Sequence, residues 1–333
     1  MQRCISCGKC TPVCPSARHQ GCDPHEIMVI GEGDVSQCIQ CGNCSRVCRR
    51  SDPFTVMRDL ISLERCEQYA SAEGHGRYSI ADSHHPSAHE LPPPWDEDGV
   101  SVMPGCVTKN LVPFLEYSTA VAIHSTGDRC IELESEGCCL RDAMYRGLTD
   151  HERHDIRRDM VSGAERIVSV CPGCREELVS DAFQVMDLIE YLHSNMDRLP
   201  RFDRPFPIAV EPGCNASDRK RQMTEVVEAL GCKPIGNRTG CCGRDTEISD
   251  RLMAERQSEC SGAGLIVVAC PRCFVSYDSY EGGKPVVHLS ELVAMASGDS
   301  STLRYHRTEL VMDESIYSPT ERTKNLYEDK TRW

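Results

Sequence analysis

Gly240-Cys241-Cys242-Gly243 sets two thiols side by side. Neighbouring cysteines rarely close a relaxed disulfide or serve one tetrahedral zinc, because consecutive side chains diverge. They can bind different irons of one multi-iron cluster. Cys214 precedes the pair and Cys270-Pro271-Arg272-Cys273 follows it, so five thiols converge from three separated turns. Cys106, Gly137-Cys138-Cys139 and Cys171-Pro172-Gly173-Cys174 present the same constellation earlier in the chain. Cysteines placed this way point to metal clusters.

A different spacing stands near residue 1. Cys4-x2-Cys7-x2-Cys10-x3-Cys14-Pro15 is the bacterial ferredoxin run, and Cys38, Cys41, Cys44 and Cys48 repeat it at an offset of 34 residues. Three thiolates of such a run wrap one cubane and the fourth reaches to the other. Cys4, Cys7, Cys10 and Cys48 are thereby assigned to one [4Fe-4S] cluster, and Cys38, Cys41, Cys44 and Cys14 to a second. Gly8 and Gly42 fall at equivalent places, where a missing side chain lets backbone N–H groups approach sulfur. Zinc knuckles are the other reading, and the completeness of both runs weighs against it. Arg49 stands where the first run has Pro15, which changes chain shape rather than ligation.

These thiols need elements to hold them. Asp23-Pro24 predicts a helix start and Asp52-Pro53 another, the second carrying Val56, Met57, Leu60 and Ile61. This segment, 1–61, is read as an all-helical two-cluster ferredoxin domain. Residues 62–100, with three consecutive prolines and several histidines, read as a linker. His84, His85 and His89 in it read as a solvated loop rather than a metal site. Two α/β repeats follow, 101–200 and 201–300. In the second, Pro207-Ile208-Ala209-Val210 is a short strand leading to Cys214. A helix capped by Asp218 then carries Met223, Val226, Val227 and Leu230 on one face and stops at Gly231. Asp245 or Thr246 caps a further helix through Ile248 and Leu252. Leu265–Ala269 is an apolar strand delivering Cys270 and Cys273, and 286–292 closes the unit. In the first repeat, 166–170 leads into Cys171 and 185–192 closes. Alternating strands and helices predict a parallel sheet in each half, with ligands at the C-terminal strand ends. Two halves set face to face would bring both cysteine sets to one cleft. Cys22, Cys130, Cys232 and Cys260 read as small buried residues, Cys66 is unassigned, and 301–333 reads as a polar tail.

The ten later cysteines resemble the cysteine-rich "CCG" domain of heterodisulfide reductase, and residues 1–60 resemble the small ferredoxin-type subunit that accompanies that domain. Their order is similar to that of the fused catalytic subunit of the membrane-linked enzyme. The resemblance implies that Cys106, Cys138, Cys139, Cys171 and Cys174 hold one non-cubane [4Fe-4S] cluster, and Cys214, Cys241, Cys242, Cys270 and Cys273 another. It also implies that a disulfide of coenzymes M and B is split between the two, a reaction of methanogenesis. Three departures stand out. Leu140 replaces the glycine after Cys138-Cys139, which tightens that turn without removing a ligand. Glu211 and Asn215 occupy the places of family histidines and become the candidate catalytic residues. The intervals are short, with 26 residues between Cys214 and Cys241 and 27 between Cys242 and Cys270.

Low-potential clusters near −400 mV reducing a disulfide near −200 mV would release ~9 kcal/mol per two electrons. Lys109, Arg141, Arg175, Arg219, Lys220, Arg221, Arg244 and Arg272 lie at the cysteine turns; they seat an anionic thiol cofactor or offset cluster charge. The leading expectation is an iron–sulfur oxidoreductase of a multi-subunit complex with a flavoprotein or other redox partner. The alternative is a non-catalytic electron conduit for a flavoprotein dehydrogenase or for activation of methyl-coenzyme M reductase. The net charge of −14 argues against nucleic-acid binding. No apolar run is long enough for membrane insertion, and no charged-then-apolar leader is visible, so the expected location is the cytoplasm.

Overall fold

A computed structural model describes residues 4–70, 91–133, 139–140, 150–180, 183–236, 240–243, 246–280 and 282–306. Cys138, Arg141, Arg244, Asp245, the histidines of 84–89 and residues 307–333 lie outside that set, as does the side chain of Cys66.

The first unit is built from helices α1 (Pro15–Arg18), α2 (Pro24–Ile30), α3 (Asn43–Val47) and α4 (Pro53–Ala70). Asp23 caps α2 as its sequence predicts, accepting from His25 N at 2.8 Å, and Gly31 ends the helix in the left-handed region at φ 85°. The two cysteine runs share an unusual backbone. Ser6 and Gln40, each before the second cysteine of its run, take φ 52° and 55°, and the following Gly8 and Gly42 take 68° and 73°. Cys22, Ile27, Val35, Met57 and Ile61 form the small core beneath the runs.

Two four-stranded sheets follow. The first comprises β1 (Val100–Met103), β2 (Cys130–Glu132), β3 (Ile167–Ser169) and β4 (Val185–Asp187), in the order β2-β1-β3-β4. The second comprises β5 (Pro207–Glu211), β6 (Lys233–Ile235), β7 (Leu265–Val268) and β8 (Val286–His288), in the equivalent order β6-β5-β7-β8. Every pairing is parallel, with Val102 opposite Val168 and Ala209 opposite Ile266. Parallel strands covered on both faces read as unbroken apolar runs, and β7 is buried at all four positions.

Helices α5 (Cys106–Leu111), α6 (Phe114–His124), α7 (Asp150–Met160), α8 (Pro172–Ser180) and α9 (Leu188–Ser194) belong to the first sheet. Helices α10 (Lys220–Ala229), α11 (Ser249–Glu259), α12 (Pro271–Asp278) and α13 (Leu289–Ala296) belong to the second. Between the sheets, α6 packs on α13 and α9 on α10. Toward the cysteine turns, α5 packs on α12, and α8 on the 3-10 turn Cys214–Arg219. Each contact is matched by its counterpart with the halves exchanged, which is the pattern of a two-fold interface within one chain. Ser118 and Ser290 meet across it at 2.7 Å, as do His193 and Glu225. The shared core includes Ile123, Tyr191, Leu192, Met223, Val227, Leu292 and Val293.

Several sequence expectations shift. The helix from Lys220 buries Met223, Val226, Val227 and Leu230 as predicted, but Asp218 does not cap it. Residues 214–219 form a 3-10 turn first, which leaves Arg219 at the cap position. Thr246 likewise precedes α11 by three residues and instead donates to Gly243 O at 2.8 Å. Helix α4 runs on to Ala70, past the expected boundary at 61, and Leu91 and Trp95 pack on the α/β cores. The 301–333 tail begins inside the fold: Ser301–Tyr305 is a 3-10 turn with Thr302, Leu303 and Tyr305 buried. Among the described residues no helix is long and apolar enough to cross a membrane.

Candidate metal centres

The helical unit gathers its eight cysteines into two groups. Cys4, Cys7, Cys10 and Cys48 line one cavity of about 190 Å³, with Cys7 exposed. Backbone amides address its sulfurs: Ser6 N lies 3.4 Å from Cys4 Sγ, and Ser51 N lies 3.4 Å from Cys48 Sγ. Amides of Arg50 and Ser51 hold the Cys48 thiol below its usual range. The second group lies deeper. Burial pushes Cys44 up to about 12, with Cys38 and Cys14 adding to the rise. Burial also raises Cys41, and after burial its largest upward influence is Cys214, from the second sheet.

That neighbour marks where the units join. Ile39 and Cys41 pack against Cys241, Ile248 and Leu252, with Cys214 alongside. Arg46 Nη2 donates to Cys214 O at 2.7 Å, and Arg18 and His19 both reach Glu255 at 3.0 Å. The outer thiol group therefore faces solvent while the inner one faces the α/β halves.

Within those halves the thiols form a continuous line. Cys241 neighbours Cys214 and Cys242, and Cys273 neighbours Cys242 and Cys270. Cys270 meets Cys171 across the two-fold, and Cys174 joins Cys171 to Cys139. Neighbouring thiols, followed by burial, push Cys174, Cys241 and Cys273 well above the ordinary thiol range, and Cys171 and burial do the same to Cys270 against the lowering influence of Cys273. Cys171, beside Cys174 and Cys270, is lowered instead. Cys106 is half-buried at the start of α5.

Local backbone clears the space. Gly105 and Gly213, each preceding a cysteine, share φ 85° with ψ 157° and 168°. A Cβ on Gly213 would stand 3.2 Å from Cys273 Sγ. The repeated Pro-Gly-Cys at 104–106 and 212–214 was a sequence signal for this turn beyond the cysteines themselves. Leu140 adopts φ 59° where Gly243 has 83°. The first turn thus keeps the left-handed shape of the second rather than tightening, at a cost of about 1–2 kcal/mol for a residue with a Cβ.

The non-cysteine candidates divide. Glu211, at the end of β5, is buried, and burial raises it to about 8 against the opposing charges of Arg256 and Lys220. Asn215 lies in the 3-10 turn, its carbonyl accepting from Arg219 Nη2 at 2.7 Å. Arg175 is bidentate to Glu190 at 2.7 and 3.0 Å, and Arg219 is buried against Asp187 at 2.7 Å. Lys109 pairs with Glu132, Arg221 is exposed, and Lys220 and Arg272 are half-buried.

Sequence reasoning missed two arginines. Arg157 on α7 is buried and donates to Cys139 O at 3.0 Å, with Glu177 at 3.8 Å. Arg256 occupies the same place on α11, against Gly240 beneath the second Cys-Cys turn, and pairs with Glu255 at 3.0 Å and Glu259 at 2.9 Å. Each half therefore sets a buried arginine against its Cys-Cys turn, Arg157 at Cys139 and Arg256 at Gly240.

The 4Fe-4S dicluster domain family matches residues 3–52, which include all eight cysteines of the two runs. The cysteine-rich (CCG) domain family matches residues 100–178, from β1 into α8. Both domains are present. No curated protein matches the chain. Among solved structures, the Picrophilus torridus aspartate racemase is similar at 12% identity over 59% of this chain and 91% of that one, with a TM-score of 0.32.

The residues fit iron–sulfur clusters. Thiol donors crowd one another, amides point at sulfur, and glycines open the turns where donors converge. Cys242→Ser is expected to perturb the second α/β half alone, leaving the reduced [4Fe-4S] EPR signals of residues 4–48 intact. Loss of those ordinary signals would mean that the units are not separate.

Proposed function

We propose that residues 101–200 and 201–300 are two copies of one cysteine-rich unit, and that the chain reduces a disulfide between thiol cofactors of the coenzyme M and coenzyme B type. One observation carries this reading: Cys171 of the first half and Cys270 of the second are neighbours whose thiols shift one another's ionisation. In the assignment, Cys106, Cys138, Cys139, Cys171 and Cys174 hold one non-cubane cluster, and Cys214, Cys241, Cys242, Cys270 and Cys273 the other. Held in these two sets and in the two ferredoxin-type sets, iron–sulfur clusters would supply the one-electron steps that together reduce one disulfide.

The chain's own residues supply position and protons. Cys7 and the outer group present the entry side to a flavoprotein or other redox subunit, and Cys41 lies against Cys214 on the inner side. Glu211 holds a proton at neutral pH, as a donor to a departing thiolate must. Arg272 brings positive charge to the second turn, where an anionic cofactor would bind, and Asn215 offers a hydrogen bond, while Lys109 at the first turn is held by Glu132.

A second reading, a non-catalytic conduit for a flavoprotein dehydrogenase or a methyl-coenzyme M reductase activation system, draws on a different observation. Arg175 and Arg219 are already engaged by carboxylates, which leaves fewer cations for a substrate. Heterodisulfide turnover by the viologen-reduced holoprotein separates the two. Slow but measurable turnover is expected; none at all would favour the conduit.

A further inference from the structure

A second cluster of metal-ligating side-chain types lies at the opposite end of the first sheet. Cys130 opens β2, and His124 lies in the last turn of α6. Asp96 lies in the approach to β1. The cysteine turns leave the C-terminal ends of these parallel strands, so this trio sits beyond the N-terminal ends, remote from them.

One oxygen, one nitrogen and one sulfur of these three residues lie within 4.8 Å of one another. His124 Nε2 is 2.7 Å from Asp96 Oδ2 and 3.6 Å from Cys130 Sγ. Thiol and carboxylate thus address the same ring nitrogen, whereas a proton relay would use the two nitrogens separately. One nitrogen cannot hold both partners well through a single hydrogen, but a cation among the three atoms satisfies all of them.

We propose that Asp96, His124 and Cys130 bind a zinc ion. With Zn–S near 2.3 Å and Zn–N or Zn–O near 2.05 Å, a tetrahedron has an S–N edge of about 3.6 Å and an N–O edge of about 3.4 Å. The first edge is already present, and the second needs His124 and Asp96 to part by about 0.7 Å. A mixed thiolate, imidazole and carboxylate set suits zinc rather than magnesium or calcium. Cys130 N donates to Asp96 Oδ2 at 2.9 Å, and Arg129 Nε lies 3.5 Å from Oδ1, so the carboxylate is oriented from outside the trio. Cys130 is fully buried, while the His124 and Asp96 side chains are 33% and 25% exposed. The ion would enter from solvent, keep a water as fourth ligand and release the thiol proton to the buffer. It would pin the approach to β1 onto α6 and β2, which changes the reading of Cys130 from a packing residue to a ligand.

The test uses anaerobically purified holoprotein incubated with equimolar zinc and desalted, followed by metal analysis and zinc K-edge absorption. About one zinc per chain is expected, with one sulfur at ~2.3 Å and the rest nitrogen or oxygen at ~2.0 Å. In competition with a zinc-chelating dye, His124→Ala and Asp96→Asn should each weaken zinc binding by about tenfold or more with iron content unchanged. Cys130→Ser should remove the sulfur scatterer. The two variants at partly exposed positions keep the test usable if the buried substitution does not fold. No retained zinc, unchanged affinity in both variants, or zinc ringed by three or four sulfurs would overturn the assignment.

Discussion

Replacing Arg256 by methionine should lower stability by about 2–3 kcal/mol, because charged hydrogen bonds from a buried guanidinium to Glu255 and Glu259 are lost. Both carboxylates keep some solvent, and Glu255 keeps Arg18 and His19. Arg256 is 3% exposed and faces Glu255 and Glu259 while supporting Gly240. Methionine fills similar volume, so the loss reports charge and hydrogen bonding more than packing. Thermal loss of the cluster absorbance, followed anaerobically, measures it. An unchanged transition would mean that the cation does not support the second Cys-Cys turn. Glu211, relieved of its largest opposing charge, should become still harder to ionise in this variant.

Glu211→Gln is expected to reduce disulfide turnover about 100-fold or more if Glu211 supplies the proton, the range typical of a lost general acid. Wild-type turnover should fall as pH rises through about 8, where Glu211 loses its proton, and the variant should lack that limb. Stability moves the same way. The folded carboxyl is raised above its unfolded value of about 4.5, so the native state binds more protons between these limits. The wild type therefore loses stability as pH climbs from about 4.5 to about 8, by a few kcal/mol in all, and Glu211→Gln should be spared that loss. Turnover that is fast and indifferent to the substitution would remove Glu211 from the chemistry.

Much of the scaffold was legible in the chain. Leu265–Val268 is apolar without interruption because both sheet faces are covered, and Asp23-Pro24 marks its helix through a real cap. The arginines under the cysteine turns were not legible, for a physical reason. Helix α7 is inside out: Arg153 and Arg157 are buried while Ile156 is 46% exposed. Its Arg157 meets the carbonyl of Cys139 and the carboxylate of Glu177, while its apolar packing is confined to contacts such as Met160 at the last turn. Hydrophobic periodicity cannot find a face that is selected by charge. The caps of α10 and α11 were misplaced for a related reason. Each helix follows a thiol-bearing turn whose shape is set by close approach of cysteines and glycines, not by a capping side chain. The pairing of Cys171 with Cys270 depends on how the halves dock, which no local pattern encodes.

Anaerobic iron and acid-sulfide analysis of the purified chain tests the central assignment most directly. Two cubane and two non-cubane clusters, four irons each, predict about sixteen irons and about as many sulfides per chain. A value near eight, with zinc coordinated by sulfur alone, would leave the ferredoxin-type sites filled and contradict cluster binding at the ten cysteines of the α/β halves.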